Sequence, residues 1–115
     1  MSRASIRVRA IPRAAGPMPE RQYRASRWCR VLGNPTAYRV LKTLADGPRA
    51  PSELAAELGR GLANVSMTLR HLRELDLVRY RRQGTRLLYR LKSPRVAPVL
   101  EAMERAVAEL GPATP

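Results

Sequence analysis

The stretch Leu62-Ala63-Asn64-Val65-Ser66-Met67-Thr68-Leu69-Arg70-His71-Leu72-Arg73-Glu74-Leu75-Asp76 decides how the chain reads. Leu62, Val65, Leu69, Leu72 and Leu75 recur at the three-four spacing of one helical face. The other side carries Asn64, Ser66, Met67, Arg70, His71 and Arg73, with Glu74 as the single acid before Asp76. Such a pattern describes any amphipathic surface helix. It also describes a helix that buries its leucines and offers the opposite face to the major groove of DNA, which is wide enough to admit one helix. The flanking sequence separates the two readings.

Immediately upstream, Ser52 is placed to cap a short helix over Glu53 to Leu58, with Leu54, Ala55 and Leu58 inward. Glu53 and Glu57 sit near its start, where negative charge is favoured. Gly59-Arg60-Gly61 then makes a tight turn into the helix that runs from Leu62 to Leu75. A short helix, a glycine turn and a second amphipathic helix form a helix-turn-helix. Downstream the period changes to two. Val78 and Tyr80, then Leu87, Tyr89 and Leu91, alternate with Arg79, Arg81, Arg82, Arg86 and Arg90 around the link Arg82-Gln83-Gly84-Thr85. This is a β-hairpin with one basic face. Two strands alone are marginally stable, so the hairpin must pack on the helices as a wing.

Working outward, a helix opens at Pro35 or Thr36 with Asn34 as its cap. Its stripe is Ala37, Val40, Leu41 and Leu44, and Asp46-Gly47-Pro48 stops it. Before it, Glu20 to Leu32 reads as a helix with Tyr23, Ala25, Trp28, Cys29 and Leu32 on one side, ended by Gly33-Asn34-Pro35. After the wing a last helix begins at Ser93, with Pro94 or Pro98 in its first turn, and ends at Gly111-Pro112. Its stripe of Val96, Val99, Leu100, Met103, Val107 and Leu110 is separated from the core by the wing and asks for a partner. We expect that partner to be the same helix of a second copy, with Trp28 of the first helix contributing; the alternative is that the stripe packs back on its own domain. The dimerisation set is therefore Trp28, Val96, Leu100, Met103 and Val107. The fold class is mainly α with a small β-hairpin: a winged helix-turn-helix over residues 20–110, a flexible basic arm over 1–19 and a tail over 111–115.

The chain has 115 residues, 22 of them Lys or Arg against 9 Asp or Glu, a net charge of +13. That excess points to a polyanion, nucleic acid before membrane surface. The charge is unevenly placed: residues 92–115 balance to zero, so the last helix has a different task. Almost all the cations are Arg, which favours bidentate phosphate and guanine contacts. Cys29 is the only cysteine, so no intrachain disulfide forms and a reducing cytoplasm is expected. No apolar run approaches the roughly 18 residues of a membrane span. The first 19 residues lack the apolar segment of a secretory signal, and they resemble an organellar transit peptide in composition only. They read as a disordered arm, or as an extension upstream of Met18 as the true initiator.

Several segments taken together resemble the ArsR/SmtB-type winged helix-turn-helix regulators. They are Val31-Leu32-Gly33-Asn34-Pro35-Thr36 with Arg39-Val40-Leu41, Ser52-Glu53-Leu54-Ala55, Leu58-Gly59, Val65-Ser66, Leu69 to Val78, and Gly84 followed by Leu88-Tyr89-Arg90-Leu91. Each is weak alone; their order and spacing, over roughly residues 28–110 without a gap, are specific. The resemblance implies a homodimeric transcriptional regulator, usually a repressor, released from double-stranded DNA by an effector. It also shows departures. The family's common metal-binding cysteines would fall at Ala50 and Ser52, and the last helix has no His. Zinc sites commonly take four ligands, and Cys29 with His71 cannot supply them, so neither metal nor cofactor is expected. The family's frequent Gly after the recognition helix is Asp76, one of the few other residues that tolerate the left-handed region. A capping Ser and a Gln at that helix's start are Gly61 and Leu62, and a frequent Arg-His pair is Met67-Thr68.

Base readout then rests on Asn64 to adenine, Ser66, Arg70 to guanine or phosphate, and apolar contact from Ala63 or Met67 to thymine methyls. Arg82, Gln83, Thr85 and Arg86 at the wing tip are expected on phosphate or in the minor groove. Cys29 stands beside Trp28 between Arg27 and Arg30. Those cations would favour a reactive, redox-sensitive thiolate, whereas burial against Trp28 would make it a small core residue. One His and one Cys cannot assemble a nucleophile, base and orienter, so an enzyme is not expected. Two alternatives share the fold: a nucleoid-type protein that coats DNA without reading it, and a thiol- or small-molecule-gated sensor.

Overall fold

In the computed structural model, which describes residues 17–112, the elements run α1 Glu20–Leu32, α2 Pro35–Ala45, α3 Pro51–Leu58, α4 Leu62–Glu74, β1 Val78–Gln83, β2 Arg86–Leu91 and α5 Val96–Leu110. Residues 1–16 of the expected arm and 113–115 of the expected tail lie outside the described residues. The order is that of a winged helix-turn-helix.

Local chemistry sets most boundaries. Asn34 Oδ1 accepts the Ala37 N–H at 3.1 Å, and Pro35 opens α2 where its missing donor costs nothing. α3 begins two residues earlier than expected. Ser52 does not cap it; Ala50 holds the cap position, because Glu53 reaches back and accepts the Ala50 N–H at 2.7 Å. That is one half of a capping box, supplied from inside the helix. Gly59, at φ +64°, turns the chain from α3 toward α4. Asp76 adopts φ +63° after α4, as its side chain permits, and its carboxylate is tied to Lys92.

β1 and β2 pair antiparallel from Val78↔Leu91 to Gln83↔Arg86, leaving Gly84 (φ +65°) and Thr85 as a two-residue loop. A third strand fragment, invisible to periodicity, completes the wing. The Arg49 N–H donates to the Tyr89 carbonyl at 3.0 Å, and the Tyr89 N–H donates back at 2.8 Å.

The core sits between α2, α3, α4 and the wing. Val40, Leu41, Leu54, Val65, Leu69, Leu72, Leu77 and Val78 are fully enclosed. Each such side chain contributes about 1.5–3 kcal/mol relative to exposure. Two expectations are corrected here. Leu62, assigned to the buried stripe of α4, is 53% exposed because the first helical residue precedes the turn that meets the core. Val96 and Leu100, assigned to a dimer face, are 4% and 0% exposed, packed in the chain's own core. The first half of α5 thus folds back on the domain instead of standing clear of it.

Candidate nucleic-acid interface

α4 is held from behind by Val65, Leu69 and Leu72. Its other side presents Ala63, Asn64, Ser66, Met67 and Arg70, all exposed. Thr68, just off this face, turns its hydroxyl inward and donates to the Asn64 carbonyl at 2.9 Å. The result is a short, flat, weakly polar ridge with one guanidinium, small enough for a groove and chemically able to address base edges.

A cation–π contact ties the wing to α4, and an aromatic pair joins the wing's own two strands. The Arg73 guanidinium lies 5.1 Å from the Tyr80 ring centre, and Tyr80 meets Tyr89 at 5.3 Å with the rings tilted by 47°. Arg73 is therefore engaged within the chain. Arg82, Gln83, Thr85 and Arg86 lie exposed at the hairpin end. Arg86 is not free-standing: its Nη2 is 2.9 Å from Glu53 Oε2. Glu53 thus joins the start of α3 to the wing tip. Its carboxyl is held below the usual range, first by the Ala50 N–H and then by the Arg86 charge. Asp76 is likewise lowered by its hydrogen bond to Lys92.

α1 has a different hollow along each flank. Toward α2 and α5 an apolar groove of about 530 Å³ is lined by Cys29, Leu32, Gly33, Tyr38, Met103 and Val107, with Glu104 at its edge. Tyr38 Oη donates to Glu104 Oε2 at 2.7 Å, and Lys42 Nζ pairs with Oε1 at 3.0 Å. The Tyr38 hydroxyl is pushed up to about 12 by burial and by that carboxylate. Glu104 is lowered by Tyr38 and then by Lys42. Toward α4 lies a polar hollow of about 390 Å³ lined by Arg27, Arg30, Val31, His71, Glu74 and Leu75.

The sequence-expected base contacts thus lie together on the exposed side of α4, and the expected backbone contacts at the tip of the wing, whose first strand meets α4 through Tyr80 and Arg73. The expected dimerisation set does not stay together. Trp28 is half-buried against the core, Val96 and Leu100 are inside it, Met103 and Val107 line the apolar groove, and Val99 and Leu110 of the same stripe are exposed. Cys29 is exposed in that groove and not in the core. Sequence reading missed Glu53 as the wing's anchor and Arg27 and Arg30 as neighbours of α4. The three-residue spacing of Arg21, Arg24, Arg27 and Arg30 was the available signal. Among the described residues no three His, Cys, Asp or Glu side chains converge to hold a metal ion, and no helix is long and apolar enough to cross a membrane.

A helix-turn-helix domain family model matches residues 32–81, from the end of α1 into β1. The HTH-type transcriptional regulator KmtR of Mycobacterium tuberculosis is 39% identical over 87 residues, covering 75% of this chain and 66% of KmtR. The biofilm growth-associated repressor of Agrobacterium fabrum is 31% identical over 90 residues, covering 76% of this chain and 77% of the repressor. A solved Mycobacterium bovis fragment is described as the homodimeric winged helix-turn-helix DNA-binding domain of a possible ArsR-family transcriptional regulator. It superposes with a TM-score of 0.68 at 32% identity, covering 83% of this chain and 90% of that one.

Proposed function

The chain belongs to the ArsR-type winged helix-turn-helix family of DNA-binding transcriptional regulators, and from that premise we propose that it is a cytoplasmic homodimeric repressor that reads a palindromic operator and carries no catalytic activity. One observation carries the proposal: the exposed ridge of Asn64, Ser66, Met67 and Arg70 is seated rigidly on the core and flanked by a cationic wing. A helix so held enters the major groove, where Asn64 addresses adenine and Arg70 addresses guanine or phosphate. Arg82 and Arg86 then lie along the backbone, fixing register without reading sequence. The apolar groove beside α5, with Met103 and Val107, supports a second copy as the other partner. Two copies would present two α4 helices to half-sites about one helical turn apart. An effector would act by changing that spacing.

The net charge of +13 alone favours the DNA-coating alternative, so tight binding decides nothing. A site selected from random duplexes separates the two. The repressor reading expects operator affinity above that of a scrambled duplex by on the order of 1,000 or more at physiological salt. Asn64→Ala should cost on the order of 1–3 kcal/mol on the operator and little on the scrambled duplex. Fluorescence anisotropy at two salt concentrations measures both, and a ratio near one with an inert Asn64→Ala overturns the repressor reading.

A further inference from the structure

We infer that Arg27 and Arg30 of α1, with His71 of α4, form a second phosphate-binding track that grips the backbone of the bound duplex on the side of α4 away from the wing. The inference rests on α4 being the groove-reading helix. Helical geometry places the two tracks. Residues 71 and 73 are two apart and so about 200° apart around the axis. Arg73 leans on the wing at Tyr80, whereas His71 faces the hollow beneath α1. Arg30 also reaches the next hollow along, beside Thr68 and Asn34, so the track runs parallel to α4 toward its base-reading end.

The charges there are uncommitted. The ion pairs among the described residues join Lys42 to Glu104, Arg49 to Glu57, Arg86 to Glu53 and Lys92 to Asp76. None uses an arginine of α1. Glu74 lines the same hollow, one carboxylate against two guanidinium groups, and is in none of those pairs. Arg27 and Arg30 are exposed, so their heads stay hydrated until an anion arrives. A helix seated in a major groove has a phosphate strand along each wall. The wing meets one wall; Arg27 and Arg30 are the cations beside the other. Phosphate neutralisation of this kind is sequence-independent and releases counterions.

The test uses the full chain, the selected operator and a scrambled duplex of equal length. Arg27→Ala combined with Arg30→Ala should weaken both duplexes by a similar factor, on the order of tenfold, and lower the log–log salt slope by about two. Arg27→Lys with Arg30→Lys should keep the slope, and Arg105→Ala on α5 reports the effect of lost net charge alone. Phosphate-ethylation interference should show the double alanine variant losing the phosphates along one wall while keeping those at the wing. Thermal melting confirms that each variant is folded. An unchanged slope and an unchanged interference pattern overturn the α1 track while the regulator reading stands. Wild-type protein with no preference for the operator removes the regulator reading and the track with it.

Discussion

α4 and α5 use the same inner surface and opposite outer ones. Each lays branched aliphatic side chains on the core: Val65, Leu69 and Leu72 from α4, Val96 and Leu100 from α5. Outward, α4 shows Asn64, Ser66 and Arg70 between cationic flanks, whereas the far half of α5 shows Val107, 64% exposed on the groove it lines with Cys29 and Leu32, and then Leu110 at 85% exposure. Burial explains why both are helices of this domain and says nothing about what either does. The outer chemistry does. A contiguous exposed apolar patch is costly in water and is relieved by another apolar surface. A basic, small-polar ridge stays solvated until a polyanion displaces water and counterions.

The largest effects should come from mistaking the inner surface for the outer one. Leu100 is fully enclosed, so Leu100→Ala should lower stability by about 2–5 kcal/mol without separating the copies that remain folded. Chemical denaturation measures the first, and sedimentation of the folded fraction measures the second. Val107→Glu should do the reverse. It places a charge where the partner's apolar surface would have to desolvate it. The expected product is a folded monomer with native circular dichroism, a melting temperature close to that of isolated wild-type monomer, and much weaker operator binding. Dimers surviving Val107→Glu would move the interface off α5 and break the contrast drawn above.

How far this contrast could be read beforehand depends on the range of the interaction. The period of α4, the two-residue alternation of the wing, the Asn34 cap and the left-handed Asp76 all follow from neighbours within a turn or two, and all are legible in the sequence. The six-residue stripe on α5 is legible as a stripe, but periodicity gives a face, not its occupant. Val96 and Leu100 go to the core because the wing's strands return the chain to it, a fact of tertiary geometry. The Arg49–Tyr89 bridge is one residue long and has no period to detect. The shift of the α3 cap from Ser52 to Ala50 reflects competition: a hydroxyl at the expected position lost to a carboxylate reaching back from Glu53. That same Glu53 holds Arg86 from thirty-three positions away, which no local rule could supply.

The smallest effect tests whether the wing's cation is wholly available to DNA. Arg86 shares its charge with Glu53, so part of its pull on phosphate is spent within the chain. Both side chains are about half exposed, and an exposed pair of this kind adds little stability. Glu53→Gln should therefore leave the fold intact, free Arg86, and remove a negative charge from beside the DNA backbone. Binding to operator and scrambled duplex should tighten alike, with the salt slope steeper by up to about one unit. Acid should begin to imitate the substitution in the wild type. Because the folded Glu53 carboxyl titrates below its unfolded value, its contribution to stability is present above the ordinary carboxylate range and fades as pH falls through the depressed one. Thermal melts of wild type and Glu53→Gln should thus converge as the pH is lowered through that window. If Glu53→Gln instead weakens binding, the carboxylate is positioning Arg86 for its phosphate and is not competing for it, and the wing would then be as preorganised as the ridge of α4.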